Sequence, residues 1–309
     1  MRRRNSNSRI GTRAGLPCVF AAVLLWAASC GGPGAPAFDG ESAYAFLREQ
    51  CDMGARYPGS TGHLRLRRYI VEKLGEFGAS VSLQPFEGVL STGDTLRLVN
   101  IIGNFNVGAS KRIMLAAHYD TRPVADMDPD PANRLTPIIG ANDGASGVAV
   151  LLEIARAIGG AKPPVGVDVV FLDGEDYGES GRPWDFCLGS AWFANNLKGY
   201  RPAAAIIVDM VGDSDLKIPR EGYSSAASGR LVDELFGIAA RLGVKQFANE
   251  PGHTIIDDHL PFIRAGIEAA DLIDFDYPYW HTVADTPDKC SPASLEAVGR
   301  VLLEYIRSR

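Results

Sequence analysis

The sequence predicts an α/β fold with a mostly parallel sheet that is covered by helices on both faces. Apolar runs of strand length alternate with amphipathic helical segments along most of the 309 residues, which is the pattern of helices packed on a sheet. One run, RIMLAAH, is apolar nearly throughout, as a central strand buried on both faces should be. These two observations predict a layered fold that is large enough to bury a sizeable core.

The first elements precede this central strand. A helix is predicted over residues 41–54, and a second lies between Gly62 and Gly78, where apolar residues recur at helical spacing. The segment SVSLQPF alternates like an edge strand, which is where Pro85 is tolerated because it has no N–H to donate. LRLVNIIGNF is the next predicted strand, and RIMLAAH follows it.

Strand and helix alternate through the rest of the chain. The predicted helices cover residues 145–158, 190–197, 230–242 and 292–306. The predicted strands are VDVVFLD, AAAIIVDMV and IEAADLID. No internal repeat, low-complexity tract or second domain is evident. The net charge of -6, without a basic stripe beyond the N-terminus, argues against a nucleic-acid partner.

The first 30 residues are typical of a secretory signal. Five arginines up to Arg13 precede the apolar run CVFAAVLLWAAS, which is too short to span a bilayer as a stable helix. Small residues, Ala27 to Ser29, stand before Cys30 as at a bacterial lipoprotein cleavage site, although Ala27 replaces the usual Leu. We therefore expect a protein of the periplasm or cell envelope, with lipid on Cys30 as its link to the membrane. The alternative is a plain cleaved signal with an incidental Cys30.

The predicted organisation is a signal peptide at 1–30, a linker at 31–40 and one folded domain at 41–309. Export implies an oxidising compartment. Cys51, Cys187 and Cys290 remain in the folded domain without CxxC spacing. Three cysteines allow at most one disulfide.

Acidic residues and histidines stand where the apolar strands end. They are His118, Asp120, Asp143, Glu175, Asp176, Asp209 and His281. Ligands of open α/β sheets bind beyond the carboxyl ends of the strands. A hydrophobic core does not require carboxylates at these positions, whereas carboxylate oxygen and imidazole nitrogen are common zinc ligands. The joint pattern predicts a zinc site.

Each of these residues taken singly fits a role without metal. Asp143 alone fits a helix N-cap, His281 a solvated loop, and the pair Glu175 and Asp176 a surface turn. The convergence of all of them favours the metal. Of the other histidines, His63 is expected on a helix surface, and His259 is expected in a structural role near the site.

Seven short motifs, in order, resemble the zinc exopeptidase clan that holds M28 aminopeptidases and animal-type glutaminyl cyclases. They are RYPGSTG, AAHYD, GANDGASG, FLDGED, DMVGD, DDHLPF and YWHT. The resemblance runs from about residue 41 to the C-terminus, so that 41–309 is expected to be one catalytic domain. It implies a phosphorylase/hydrolase-like αβα sandwich of zinc exopeptidase type, with a mixed, mostly parallel sheet.

The two branches of this clan differ in their metal content. Resemblance to the aminopeptidases implies two zinc ions on His118, Asp143, Asp176, Asp209 and His281. Resemblance to the cyclases implies one zinc ion on Asp143, Asp176 and His281. In the cyclase branch Glu175 would shuttle protons, and Asp209 and Asp257 would join it in a hydrogen-bonded network. The ligand identities alone do not separate the branches.

Three features resemble the cyclase branch more closely. The segment RYPGS matches the one that opens glutaminyl cyclases. In DDHLPF, Asp257 stands where aminopeptidases more often have Ser, and Trp280 directly precedes His281. One position departs, because Asp176 stands where animal cyclases have Glu. Glu175 therefore remains the alternative ligand.

The resemblance predicts a zinc-dependent glutaminyl-peptide cyclotransferase. Such an enzyme converts N-terminal glutamine of peptides and proteins to pyroglutamate and releases ammonia. Trp280 and Trp184 are expected to line its substrate pocket, and Asp120 is expected to orient the site. The alternatives are a two-zinc aminopeptidase and an inactive exported binding module. The oligomeric state stays open.

Overall fold

The structure, a computed structural model, describes Gly11 and residues 37–160 and 162–309. Apart from Gly11, the predicted signal peptide with Cys30 lies outside the described residues, as does most of the predicted linker. No helix in the described part of the chain has the length and apolar character needed to cross a membrane.

The described residues form seven α-helices and eight strands. The helices are α1 (Gly40–Cys51), α2 (Thr61–Glu76), α3 (Ala145–Gly159), α4 (Leu188–Asn195), α5 (Gly222–Leu242), α6 (His259–Arg264) and α7 (Pro292–Arg307). The strands are β1 (Ser80–Val89), β2 (Thr95–Phe105), β3 (Arg112–His118), β4 (Gly166–Leu172), β5 (Ala205–Asp209), β6 (Ile218–Arg220), β7 (Phe247–Pro251) and β8 (Ala269–Ile273).

Six strands form the main sheet, in the order β1-β2-β4-β3-β5-β8. The pairs β1–β2 and β2–β4 are antiparallel, whereas β4–β3, β3–β5 and β5–β8 are parallel. The predicted mixed, mostly parallel sheet is confirmed. Strand β1 is an edge strand, and it contains Pro85. Strands β6 and β7 form a separate small sheet that the sequence did not predict, because both are too short to show a clear period.

Helices cover both faces of this sheet because side chains alternate along each strand. Ile113, Leu115 and Ala117 of β3 belong to the core cluster that contains α1, α2, α3, α5 and α7. Met114 and Ala116 belong to a second cluster with α4 and α6. The three layers are those of an αβα sandwich, as predicted.

Helix α5 begins at Gly222, well before the predicted range 230–242. Its first turns are rich in Gly and Ser, which have poor helix propensity. Glu221 caps the helix by accepting two backbone N–H groups, and the Ser224 hydroxyl accepts from the backbone N–H of Asp271 on β8. Capping and tertiary contacts therefore outweigh the weak propensity.

His63 is buried, so its predicted place on a helix surface is wrong. Its Nε2 lies 2.8 Å from Oδ1 of Asp173, and its ring stacks on Tyr119 with centroids 5.2 Å apart. Asp173 directly follows β4, so this face of α2 packs against the strand ends. The sequence did not indicate that Asp173 would lie beside His63.

The cysteines of the folded domain are buried free thiols. Cys51, Cys187 and Cys290 form no disulfide within the part of the chain that the structure describes. The sequence allowed at most one disulfide among these three cysteines, and the structure shows none between them.

Candidate active site

The predicted polar residues converge at the carboxyl edge of the parallel strands. They are His118, Asp143, Glu175, Asp176, Asp209 and His281. His118 ends β3 and Asp209 ends β5, while Glu175 and Asp176 follow β4 in a short loop. A cavity of about 440 Å³ opens here, and all of these residues except His118 line it. Its apolar wall is formed by Phe186, Met210, Ile255, Ile273, Phe275 and Trp280.

Asp143 lies between two buried histidines. Its Oδ1 is 3.4 Å from Nε2 of His118, and its Oδ2 is 3.6 Å from Nε2 of His281. Asp176 Oδ1 is 3.3 Å from His281 Nε2, and Asp209 Oδ1 is 3.0 Å from His118 Nε2. Two groups of possible ligands result, and they share Asp143. In each group three ligand atoms lie within 4.8 Å of one another; the groups are His118, Asp143 and Asp209, and Asp143, Asp176 and His281. The geometry suits one metal ion, or two that share Asp143.

Two buried carboxylate oxygens, Oδ2 of Asp143 and Oδ2 of Asp176, have no hydrogen-bond partner. A buried polar atom without a hydrogen-bond partner is costly, so these two oxygens require explanation. Burial alone would lower the pKa of His281, but the carboxylates of Asp176, Asp126 and Asp143 outweigh it and raise the pKa to about 9. The acidic side chains of the cluster outnumber its basic ones, so it is short of positive charge. A divalent cation on neutral His281 would supply it and would occupy both oxygens.

Glu175 lies close to a second acid, Asp257. One of its oxygens lies within 4.8 Å of a carboxylate oxygen of Asp257. Burial raises the pKa of Glu175 well above its usual value; the charge of His118 opposes the rise, and the charges of Asp176 and Asp257 add to it. Burial, together with the charge of Asp209, raises the pKa of Asp257 to about 6. Neighbouring acids of raised pKa can share one proton.

Asp120 orients the loop that carries both acids. It is fully buried, and its two oxygens accept the backbone N–H groups of Glu175 at 3.0 Å and Asp176 at 3.1 Å. Its Oδ1 also lies 3.8 Å from Nδ1 of His118. One carboxylate therefore connects the ends of β3 and β4.

A buried arginine, which sequence reasoning missed, supports the site from outside. Arg122 donates to both oxygens of Asp126 at 2.6 and 2.7 Å, and to Oδ1 of Asp176 at 3.0 Å. Asp126 Oδ1 in turn lies 3.3 Å from Nδ1 of His281. The pair thus contacts two candidate metal ligands. No spacing in the sequence signals it, because the contacts join separate loops.

Asp285 holds the turn that presents Asp143. Its oxygens accept the backbone N–H groups of Asn142 at 2.8 Å and Asp143 at 3.1 Å, and the Tyr277 hydroxyl donates to it at 2.8 Å. Sequence reasoning missed this residue too. Asp285 lies four residues after His281 in the same polar loop, and this position could have indicated that it belongs to the site.

Peptidase family M28 matches residues 100–306 of this sequence. The chain belongs to this family. It is 28% identical to a glutaminyl-peptide cyclotransferase-like protein of Mus musculus, over 81% of this chain and 71% of that one.

Two solved structures show the same fold. The glutaminyl cyclase of Bacteroides thetaiotaomicron bound to N-acetylhistamine is 40% identical, with a TM-score of 0.86 over 89% of this chain and 99% of that chain. A leucine aminopeptidase precursor from Bacteroides thetaiotaomicron matches with the same identity, TM-score and coverage. The sandwich of zinc exopeptidase type is thereby confirmed.

Three residues that line or border this M28 site adopt left-handed backbone. They are Cys187 with φ of 54°, Met210 with φ of 46° and His281 with φ of 55°. Residues other than glycine rarely take this conformation, which costs on the order of 1–3 kcal/mol each. The surrounding structure therefore holds these side chains in place against local strain.

The two tryptophans that were predicted to line the substrate pocket lie in different places. Trp280 lines the pocket, and its ring stacks on His281 with centroids 3.9 Å apart. Trp184 is 74% exposed and lies outside the pocket, in an adjoining groove. His259 is buried beside the site, with Nε2 3.2 Å from Glu221 and Nδ1 3.5 Å from Asp271.

Proposed function

We propose that this protein is a zinc-dependent glutaminyl-peptide cyclotransferase, which converts N-terminal glutamine of peptides and proteins to pyroglutamate and releases ammonia. The close pair Glu175 and Asp257, beside the candidate metal ligands, is the observation that carries the proposal. Cyclisation moves a proton from the attacking amine to the leaving ammonia, so a shared-proton network has a direct use. Similarity to glutaminyl cyclases supports the same conclusion.

One zinc ion is proposed, held by Asp143, Asp176 and His281. The unpartnered oxygens of both aspartates and the acidic surroundings of His281 suit it. When bound there, zinc would polarise the side-chain amide carbonyl of the substrate as a Lewis acid. His118 would stay paired with Asp209, whose oxygen lies 3.0 Å away.

Glu175 would act as the base and then as the acid. The substrate α-amine has a pKa of about 8, so a modest base can take its proton as it attacks the amide carbon. The new C–N bond closes the ring, the old C–N bond breaks, and Glu175 returns the proton to the departing ammonia. Asp209 and Asp257 would share a proton with Glu175. The apolar wall around Phe275 and Trp280 would exclude water, whose attack would give glutamate instead.

A two-zinc aminopeptidase is the second candidate function. The position of Asp143 between His118 and His281 favours it, since that carboxylate could bridge two ions. Glu175 would then activate a water molecule. A third candidate, an inactive exported binding module, is disfavoured because the chain keeps every residue that the chemistry needs.

Offering the purified protein a Gln-initiated peptide and Leu-p-nitroanilide separates these functions. We expect ammonia from the first, no nitroaniline from the second, and one zinc equivalent in the same sample. Nitroaniline release with two equivalents that resist dialysis would assign the aminopeptidase. No turnover of either substrate by the zinc-loaded protein would assign the binding module.

Asp257→Ala is expected to slow ammonia release about 100-fold, the lower end of what proton-transfer groups contribute. The zinc content should stay unchanged because Asp257 is not a proposed ligand. The rate is measured across pH, with Asp215→Ala at an exposed position as the control. An unchanged rate and pH profile would refute the shared-proton network.

Arg122→Ala and Asp126→Asn are each expected to weaken zinc binding about 10- to 100-fold, because groups that orient metal ligands typically contribute this much. Chelator competition measures the affinity directly, without relying on turnover. Arg230→Ala, which removes an exposed ion pair with Glu268, is the matched control. Unchanged zinc affinity in both site variants would show that the pair does not support the ligands.

We also propose export, with 1–30 as signal peptide, 31–40 as linker and 41–309 as the catalytic domain. The arginines and apolar run before Cys30 support a lipid anchor there. Mass spectrometry of the membrane fraction should find the mature chain beginning at lipid-modified Cys30. An unmodified N-terminus downstream of Cys30 in a soluble fraction would contradict the anchor but not the export.

A further inference from the structure

A second cavity, of about 120 Å³, opens beside the catalytic pocket. The two cavities share the wall residues Pro183, Phe186, Ile256 and Asp257. The rest of the second wall is formed by Trp184, Cys187, Ala191, Leu260, Pro261 and Arg264. We name this cavity the Trp184 groove. These shared residues place it directly beside the pocket where the glutamine side chain would bind.

The position of Glu175 determines where a bound peptide would leave the pocket. This step rests on the proposed function, in which the α-amine of glutamine reaches Glu175. Cys187, in the wall of the groove, has its Sγ 3.5 Å from Oε1 of Glu175. Asp257 belongs to both cavities. In an N-terminal glutamine the α-amine and the main-chain carbonyl are attached to the same Cα, so an amine at Glu175 places the carbonyl near this junction. The peptide chain would then leave the pocket past the junction, and its second residue would meet the groove.

The outer wall of the Trp184 groove is apolar and uncovered. Trp184 is 74% exposed and Ile256 is 55% exposed. Large apolar side chains that are exposed together beside a pocket mark a binding surface. Tryptophan supplies a large contact area for such a surface.

Arg264 contributes positive charge at the rim of the groove. Its guanidinium carbon lies 5.7 Å from the centre of the Trp184 ring, which is within cation–π range. It makes no ion pair with a carboxylate of residues 37–160 or 162–309. The groove therefore combines an apolar wall with a cation at its rim that forms no ion pair in these ranges, and the one carboxylate in its lining, Asp257, lies at the junction with the pocket.

We propose that the Trp184 groove binds the side chain of the residue that follows the N-terminal glutamine. The class of substrate that fits is a peptide with a large apolar residue at this second position. A basic residue there is disfavoured, since it would meet Arg264. Trp184 is then a specificity-determining residue for the second position and not part of the glutamine pocket.

The test compares kcat/KM for glutamine amide, Gln-Ala amide, Gln-Phe amide and Gln-Lys amide. Gln-Phe amide should exceed Gln-Ala amide about tenfold, mainly through KM, which corresponds to ~1.4 kcal/mol. Trp184→Ala should bring this ratio close to one, and Arg264→Gln should raise the value for Gln-Lys amide relative to Gln-Ala amide. Trp192→Ala is the matched control because Trp192 stacks on Phe86 and lines neither cavity.

The outcomes separate the groove from the function on which it rests. Equal kcat/KM for Gln-Ala and Gln-Phe amides, or a preference that survives Trp184→Ala, would overturn the groove alone. So would loss of the preference in Trp192→Ala to the same extent. No ammonia from any substrate, glutamine amide included, would overturn the proposed function and the groove with it.

Discussion

Glu175→Gln is expected to lower ammonia release about 100- to 10,000-fold, the range that general acid–base groups contribute. The amide keeps the size of the side chain but can no longer take the proton of the attacking amine. Zinc content and fold should stay near those of the wild type, because Asp143, Asp176 and His281 are the proposed ligands. Single-turnover ammonia release and elemental analysis of the same preparation measure both quantities. Glu179→Gln is the control, at an exposed position in the same loop.

The zinc content of Glu175→Gln also shows which of the adjacent acids Glu175 and Asp176 is the zinc ligand. The unpartnered Oδ2 of Asp176 favours Asp176 as the ligand. Loss of zinc from Glu175→Gln would reverse the two roles, with Glu175 binding the metal and Asp176 beside it. Retained zinc with an unchanged rate would remove Glu175 from the proton transfer altogether.

His281→Ala is expected to abolish both tight zinc binding and turnover. It removes the nitrogen ligand of the proposed set, so the carboxylates of Asp143 and Asp176 lose the imidazole that lies 3.6 and 3.3 Å from them. A ligand that binds only the folded state stabilises it, so added zinc should raise the Tm of the wild type but not of this variant. His253→Ala, which alters an exposed histidine paired with Asp276, should behave like the wild type. Full zinc content in dialysed His281→Ala would show that the ligand assignment is wrong.

The convergence of the site could be predicted from the sequence because it follows from the direction of the strands. His118 and Asp209 directly end buried runs, and parallel strands end at the same edge of a sheet. Asp143 lies in the turn before α3, and His281 lies in a polar loop after β8. Local sequence was sufficient to place these residues near one another.

The contacts that support the site could not be predicted in the same way. Arg122 joins Asp126 to Asp176 across two loops, and no period or motif encodes which loops meet. Trp184 lies close in sequence to Glu175, yet the turn Pro183–Asp185 places it in the neighbouring groove. Strand β6 has three residues and so carries no periodic signal. Long-range packing decided each of these cases.

The mass of the product formed from one Gln-initiated peptide tests the central claim most directly. Cyclisation removes ammonia and keeps every residue, whereas an aminopeptidase removes the first residue and leaves a shorter peptide. We predict a single product that has lost only ammonia, formed by the zinc-loaded protein and not by its Glu175→Gln variant. A peptide shortened by its N-terminal glutamine, with free glutamine in solution, would contradict the account.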